Sequence, residues 1–270
     1  MEIWDVYDKD LKKAGFDIAR GEKIPTGYYH LACDVVVRHS DGTYLVMQRD
    51  YEKDVYPGFY EVSAGGSALK GEDKYDCVKR ELKEETGIVA EEFTEIGFEL
   101  NDDRQYICYD FLCVVDCDKD SIVFQKGETV SYKWQNKDEL IELKKTGKIV
   151  PSFTGRMSKY FEVLNVGKKF KVTVDRKLGS RHPKHKEIIY PINYGYIEGL
   201  IGKDGEFQDA YILDADVPLD EYEGLLIGVI IRLDDEETKW IIANRRDYTD
   251  QEINEAIEFQ EKFFHSVLVR

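Results

Sequence analysis

Gly66-Ser67-Ala68-Leu69-Lys70-Gly71-Glu72, followed after seven residues by Arg80-Glu81-Leu82-Lys83-Glu84-Glu85-Thr86-Gly87-Ile88, is the stretch on which the reading of this chain turns. The pattern from Glu72 to Thr86 is helical, with Tyr75, Val78 and Leu82 on one face and Gly87 where a left-handed residue ends a helix. Glu81, Glu84 and Glu85 stand at i, i+3 and i+4, so their side chains share one face of the last turn. Carboxylates there oppose the helix dipole at about 0.3–1 kcal/mol each, and they repel one another. A solvated acidic face is one outcome of such a pattern. A divalent cation is the other, because Mg²⁺ takes oxygen ligands from a few carboxylates and from substrate phosphates. Gly65-Gly66 lets a backbone carbonyl approach the same ion, since no Cβ stands in the way.

The segment resembles the Nudix box, G-x5-E-x7-R-E-U-x-E-E-x-G-U with U apolar, at every specified position. The resemblance implies an α/β/α sandwich with a mixed sheet and a Mg²⁺- or Mn²⁺-dependent enzyme. Its substrate would be a small molecule with a diphosphate linkage, a nucleoside diphosphate or a derivative of one. By position, Glu81, Glu84 and Glu85 resemble the family's metal-binding glutamates, and Gly65 or Gly66 its carbonyl ligand. Glu72 and Arg80 resemble the pair that ties loop to helix. Their spacing of eight is too long for a direct i,i+4 contact, so the loop has to fold back. Glu85 is one candidate for the proton acceptor, and Glu128 is a candidate carboxylate outside the box. A homodimer is expected from the family alone.

Working outward, Trp4-Asp5-Val6-Tyr7-Asp8, Tyr28-Tyr29-His30-Leu31 and Tyr56-Pro57-Gly58-Phe59-Tyr60-Glu61 resemble the branch near isopentenyl diphosphate isomerase. That enzyme needs a Cys-Gly-His segment, which would fall on Gly65-Gly66-Ser67; both its cysteine and its histidine are absent here. His30 sits where a second histidine ligand would be. Hydrolysis is the better reading, with isomerase chemistry and a non-catalytic nucleotide or phosphate sensor as alternatives. Strands are expected at 32–37, 43–47 and 107–115, and a helix at 137–148.

In the second half, Val174-Asp175-Arg176, Tyr190-Pro191-Ile192-Asn193-Tyr194-Gly195-Tyr196-Ile197, Asp204-Gly205-Glu206-Phe207-Gln208-Asp209 and Leu233-Asp234-Asp235-Glu236-Glu237-Thr238-Lys239-Trp240 occur in that order. Together they resemble the core of the soluble, family I inorganic pyrophosphatase. The resemblance implies metal ligands at Asp204, Glu206 and Asp209, later acids at Asp234 or Asp235 and Glu237, and phosphate contacts at Arg176, Tyr194 and Lys239. Glu206 replaces an aspartate of the family pattern and Phe207 a proline, and the strands that precede Val-Asp-Arg in that family have no room here. A truncated relative that binds phosphate weakly or mediates assembly is therefore expected. Strands are read at 171–174, 210–213, 225–232 and 239–243, and Asp250 is read as the cap of a last helix running towards His265.

Around Asn165-Val166-Gly167 an amphipathic stretch gives way to a basic one, which places a boundary between residues 1–166 and 167–270. The expected fold class is α+β: the sandwich, then a small β-rich, barrel-like domain with a C-terminal helix. Over 270 residues, 38 Lys and Arg face 54 Asp and Glu, a formal charge of -16. Nucleic-acid polymers and anionic membranes require a positive field, so neither is an expected partner. The N-terminus has no signal-peptide pattern, and the longest apolar run, 225–231, is too short to cross a bilayer. Five cysteines without Cys-x-x-Cys spacing suit free thiols in a reducing cytoplasm.

Overall fold

The computed structural model describes residues 1–270, the side chains of 152–154 excepted. The chain divides into two compact units, Met1–Ser158 and Lys159–Arg270. The division falls before the expected junction at 166/167 because the intervening residues bond to the second unit. Glu162 accepts the indole N–H of Trp240 at 2.7 Å and the Thr238 hydroxyl at 2.6 Å.

The first unit contains strands β1 (Ile3–Asp8), β2 (Lys13–Ala19), β3 (Tyr28–His39), β4 (Tyr44–Arg49), β5 (Tyr60–Glu61) and β6 (Ala64–Ser67). Helix α1 (Lys74–Thr86), β7 (Thr94–Asn101), β8 (Tyr106–Val115), β9 (Thr129–Gln135), α2 (Lys137–Lys145) and α3 (Pro151–Arg156) follow. β3 is the hub of a mixed sheet, antiparallel to β1, β4 and β6 and parallel to β8. Alternate residues Cys33, Val35 and Val37 of β3 and Ile107, Phe111 and Cys113 of β8 turn to one face. There they bury Cys77, Val78 and Leu82 of α1. Tyr75 lies at the rim of that face, its ring 5.5 Å from Phe111 and its hydroxyl donating to Glu95 at 2.8 Å, while Cys77 packs inward.

α1 starts where its cap allows. Asp73 accepts from the backbone N–H groups of Tyr75 and Asp76 at 2.8 and 2.9 Å, and Asp76 returns a bond to Asp73. It ends at Gly87, whose φ of +76° suits a residue without Cβ and whose N–H closes on Lys83 O. α2 stops at Lys145, short of the expected 148.

The second unit contains β10 (Lys169–Arg176), β11 (Asn193–Ile201), β12 (Phe207–Ile212), β13 (Glu221–Arg232), β14 (Thr238–Ala243), α4 (Asp250–Glu261) and β15 (Ser266–Val269). The order β10-β11-β12-β14-β13 closes because the first half of β13 pairs back onto β10. Closure removes the open edges that a flat sheet would leave. The second half of β13 also pairs with β15. Ile253 and Ile257 of α4, at i and i+4, bury against Tyr194, Tyr211 and Ile241. Thr249, not Asp250, caps α4: its hydroxyl accepts the Glu252 N–H while Glu252 accepts from the Thr249 N–H at 2.7 Å. The chain is thus α+β with a sheet-rich second unit. All five cysteines are free thiols. Among the described residues no helix is long and apolar enough to cross a membrane.

Candidate functional site

Helix periodicity decides which acids reach the cleft of the first unit. Cys77, Glu81 and Glu85 stand at i, i+4 and i+8, one line along α1. Cys77 is buried, so the two glutamates continue directly off the packed face, and Glu84 lies one step around the helix with half of its side chain exposed. The cleft, of about 340 Å³, is lined by Gly65, Gly66, Arg80, Glu81, Glu84, Glu85 and Glu128, all singled out by the sequence.

Arg80 organises the acids behind it. Its Nε and Nη2 donate to the two oxygens of Glu72 at 2.7 and 3.0 Å, and Nη2 also donates to Ser67 O at 2.9 Å. Nη1 donates to Glu81 at 2.7 Å and Glu84 at 3.2 Å. Glu72 accepts the Leu69 N–H at 2.8 Å, so the loop does fold back onto the helix. Glu72 itself does not line the cleft.

The glycines are needed for close approach. A Cβ on Gly66 would land against both carboxylate oxygens of Glu81, 2.7 Å from the farther one. Gly65 N–H donates to Glu85 at 3.0 Å, and its carbonyl lies along the same strand edge. Gly66→Ala is therefore expected to displace the Glu81 carboxylate while leaving the sheet intact. A shift of roughly 1 Å at such a site costs about a hundredfold in rate. Diphosphate turnover should fall by that order with unfolding temperature nearly unchanged, and equal turnover would refute the contact.

The opposite wall pairs cations with further acids. Arg49 bridges to Glu61 and Lys53 to Glu128, and Arg20 lines the same cleft. Glu128 arrives because β9 runs antiparallel to β4, with Thr129 opposite Arg49 and Asp50 N–H bonded to Glu128 O at 2.8 Å. Burial, with repulsion from Glu61, Glu81 and Glu128, pushes Glu85 up to about 8 against one backbone donor at Gly65. Burial also raises Glu61 and Glu81 despite Arg49 and Arg80. Crowded hard oxygen donors with raised proton affinity fit a divalent cation, which would relieve both repulsion and desolvation.

Sequence reasoning missed Arg20, Arg49, Lys53 and Glu61 as members of this cleft. Glu61 carried a signal, standing four residues before Gly65 in the run 56–66. The cations carried none, since strand pairing brings them in. His30 does not line the cleft; its ring stacks on Trp4 at 4.5 Å and its Nδ1 lies 3.1 Å from Gln105 O, a structural placement.

On the sheet face away from α1, Asp34, Cys108 and Asp110 come together, a grouping the sequence did not suggest. Arg156 of α3 pairs with both aspartates, and burial raises the Asp110 carboxyl well above its usual range.

The second unit holds a cleft of about 560 Å³. It gathers Arg176, Tyr194, Asp204, Glu206, Asp209, Glu237 and Lys239. Asp234 and Asp235, expected as later acids, lie outside it. Asp234 accepts the His265 N–H at 3.0 Å, and Asp235 pairs with Arg232 at 3.2 Å. Lys239 sits between Asp209 and Glu237, and Arg232 also reaches Glu237, at 2.9 Å.

Residues 28–154 match the family described as the NUDIX domain. The Nudix hydrolase lmo0368 of Listeria monocytogenes is 31% identical over 154 residues, covering 57% of this chain and 90% of the relative. Nudix hydrolase lin0387 of Listeria innocua is 29% identical over 166 residues, covering 61% and 96%. Among solved structures, DR0079 from Deinococcus radiodurans aligns with a TM-score of 0.46 at 16% identity, over 60% of this chain and 97% of that one. With the box complete on α1 and relatives matched over nearly their whole length, the chain belongs to the Nudix hydrolase family, in which nucleoside diphosphate-linked substrates are hydrolysed.

Proposed function

We propose that the first unit hydrolyses a diphosphate linkage in a nucleoside diphosphate or a derivative of one, with Mg²⁺ or Mn²⁺ as cofactor. The observation that carries this reading is the convergence of Glu81, Glu84 and Glu85 with Gly65 in one cleft whose far wall carries Arg49 and Lys53. Glu81, Glu84, Glu85 and the Gly65 carbonyl would hold the metal. When bound, the metal would neutralise diphosphate charge and ease deprotonation of the attacking water. Arg49, Lys53 and Arg20 meet the remaining phosphate charge. Arg80 and Glu72 keep the acids in register. Glu85 is the candidate proton acceptor, with Glu128 as a further carboxylate of the cleft.

The test is turnover of a panel of nucleoside diphosphate compounds with Mg²⁺ and with chelator. Turnover should require metal and vanish with chelator. Metal-independent turnover of equal rate would remove the assignment.

A second reading concerns the other unit. Arg176, Tyr194 and Lys239 converge in one cleft, which supports a phosphate-holding site related to inorganic pyrophosphatase. Asp209 and Glu237 are already matched by Lys239, and Asp234 and Asp235 lie elsewhere, so binding is favoured over hydrolysis. Release of phosphate from pyrophosphate, abolished by Asp209→Asn and spared by Glu85→Gln, would instead establish catalysis there.

A further inference from the structure

The second cleft is built differently at its two ends. At the inner end, Tyr190 is fully buried and its hydroxyl has no partner, and Arg176 Nε is buried without one. His182, stacked 6.1 Å from the Tyr190 ring, and Lys184 line the same cleft, and the Arg176 guanidinium lies 5.1 Å from the Tyr194 ring centre. The acids nearest the barrel wall, Asp209 and Glu237, face Lys239 and Arg232 rather than an empty cleft. Among the described residues Arg176 has one ion pair, with Asp175 of the same cleft at 3.3 Å through Nη1, and Asp204 and Glu206 stand on an exposed turn. The inner end therefore offers Arg176 Nε and the Tyr190 hydroxyl as donors to an oxyanion.

The other end is aromatic. Tyr196 and Phe207 stack with ring centres 5.5 Å apart and planes 15° from parallel, and both line the cleft. Phe207 is 39% exposed, although a phenyl ring gains nothing from water. Strand geometry sets the distance between the two ends. Tyr194 and Tyr196 are two residues apart on β11 and face the same way, so they are separated by about 7 Å along the strand. A ribose spans a gap of that size between a phosphate and a base.

We infer that the cleft of the second unit binds a phosphorylated compound carrying a flat ring, a nucleotide, with Arg176 and Tyr190 on its phosphate and the Tyr196–Phe207 pair stacking its base. The inference rests on the phosphate-holding reading of this cleft and adds what that reading lacks, the class of compound attached to the phosphate. Stacking on an aromatic platform tolerates any base, so the site selects for a ring rather than for a particular one.

The test compares AMP with inorganic phosphate by calorimetry on the full chain, at constant Mg²⁺. AMP has no diphosphate for the first unit to cut. In the phase removed by Arg176→Ala, AMP should bind about tenfold more tightly than phosphate, or better. Phe207→Ala should remove that advantage and leave phosphate binding unchanged, and Phe207→Tyr should restore it. If Phe207→Ala weakens phosphate as much as AMP, or AMP binds no better than phosphate, the stacking inference is overturned. If Arg176→Ala alters neither titration, the phosphate-holding reading falls, and the inference with it.

Discussion

Glu85→Gln is expected to lower metal-dependent diphosphate turnover about a hundred- to a thousandfold, the size of effect a positioned proton acceptor supplies. The same change should make the metal-free protein more stable near pH 8. Burial and the neighbouring acids Glu61, Glu81 and Glu128 raise Glu85 from 4.5 to about 8. The folded state thus holds that proton more tightly than the unfolded chain does. The resulting stabilisation is complete below pH 4.5 and is lost as pH climbs towards 8, where the carboxylate must ionise inside the cleft. Glutamine has the same shape and never ionises, so the variant escapes the loss.

Thermal unfolding with chelator at pH 5 and pH 8 reads this directly. Wild type should lose more stability than the variant between the two. Adding Mg²⁺ should then stabilise wild type more than the variant, because only a folded, fully charged site gains from binding. Turnover within a few-fold of wild type, together with parallel unfolding at both pH values, would remove Glu85 from the site. A carboxylate that destabilises the empty protein fits a role in function rather than in stability.

How much of this was legible depends on whether the determinant is local. The acidic line on α1 needed only helix periodicity, and Gly87 ended the helix where a positive φ was required. Glu72 and Arg80 could be paired from the resemblance, against a spacing too long for a helical contact, although the loop carbonyl that Arg80 also holds, Ser67 O, could not. Arg49, Lys53 and Glu61 stayed hidden because their convergence depends on how β4 pairs with β5 and β9, a long-range choice.

The same distinction separates the acids of the second unit. Glu237, just before β14, and Lys239, on it, are two residues apart, so Lys239 can reach both Glu237 and Asp209, whereas Asp234 and Asp235 remain in the preceding turn. The cap of α4 was misread for a narrower reason. Thr249 and Asp250 are both good caps, but only Thr249 has a glutamate three residues on. That reciprocal pair outweighs the stronger single acceptor.

Glu261→Ala is expected to destabilise the second unit by about 3–5 kcal/mol, as removal of one partner from a buried ion pair does. Arg232 is 2% exposed, and its Nε and Nη2 donate to the two oxygens of Glu261 at 3.1 and 2.7 Å. Tyr211 also donates to Glu261, at 2.7 Å, and the guanidinium lies 3.5 Å from the Phe264 ring centre. Truncating Glu261 leaves Nε and Nη2 of a buried guanidinium, and the buried Tyr211 hydroxyl, without that acceptor. Asp235 and Glu237 remain on Nη1 but are partly hydrated, so they compensate only in part. Removing both charges has a different sign. Arg232→Met combined with Glu261→Leu and Tyr211→Phe replaces the network by apolar groups of similar size, which is often neutral or stabilising. Urea unfolding of the full chain should show the single variant losing a midpoint that the triple variant largely recovers. A triple variant as unstable as the single one would mean that packing, not the stranded charge, sets the loss. Because Glu237 also holds Lys239, the single variant should in addition weaken the phosphate binding proposed for the second cleft. The strut between α4 and β13 would then be a support for that site as well as for the barrel.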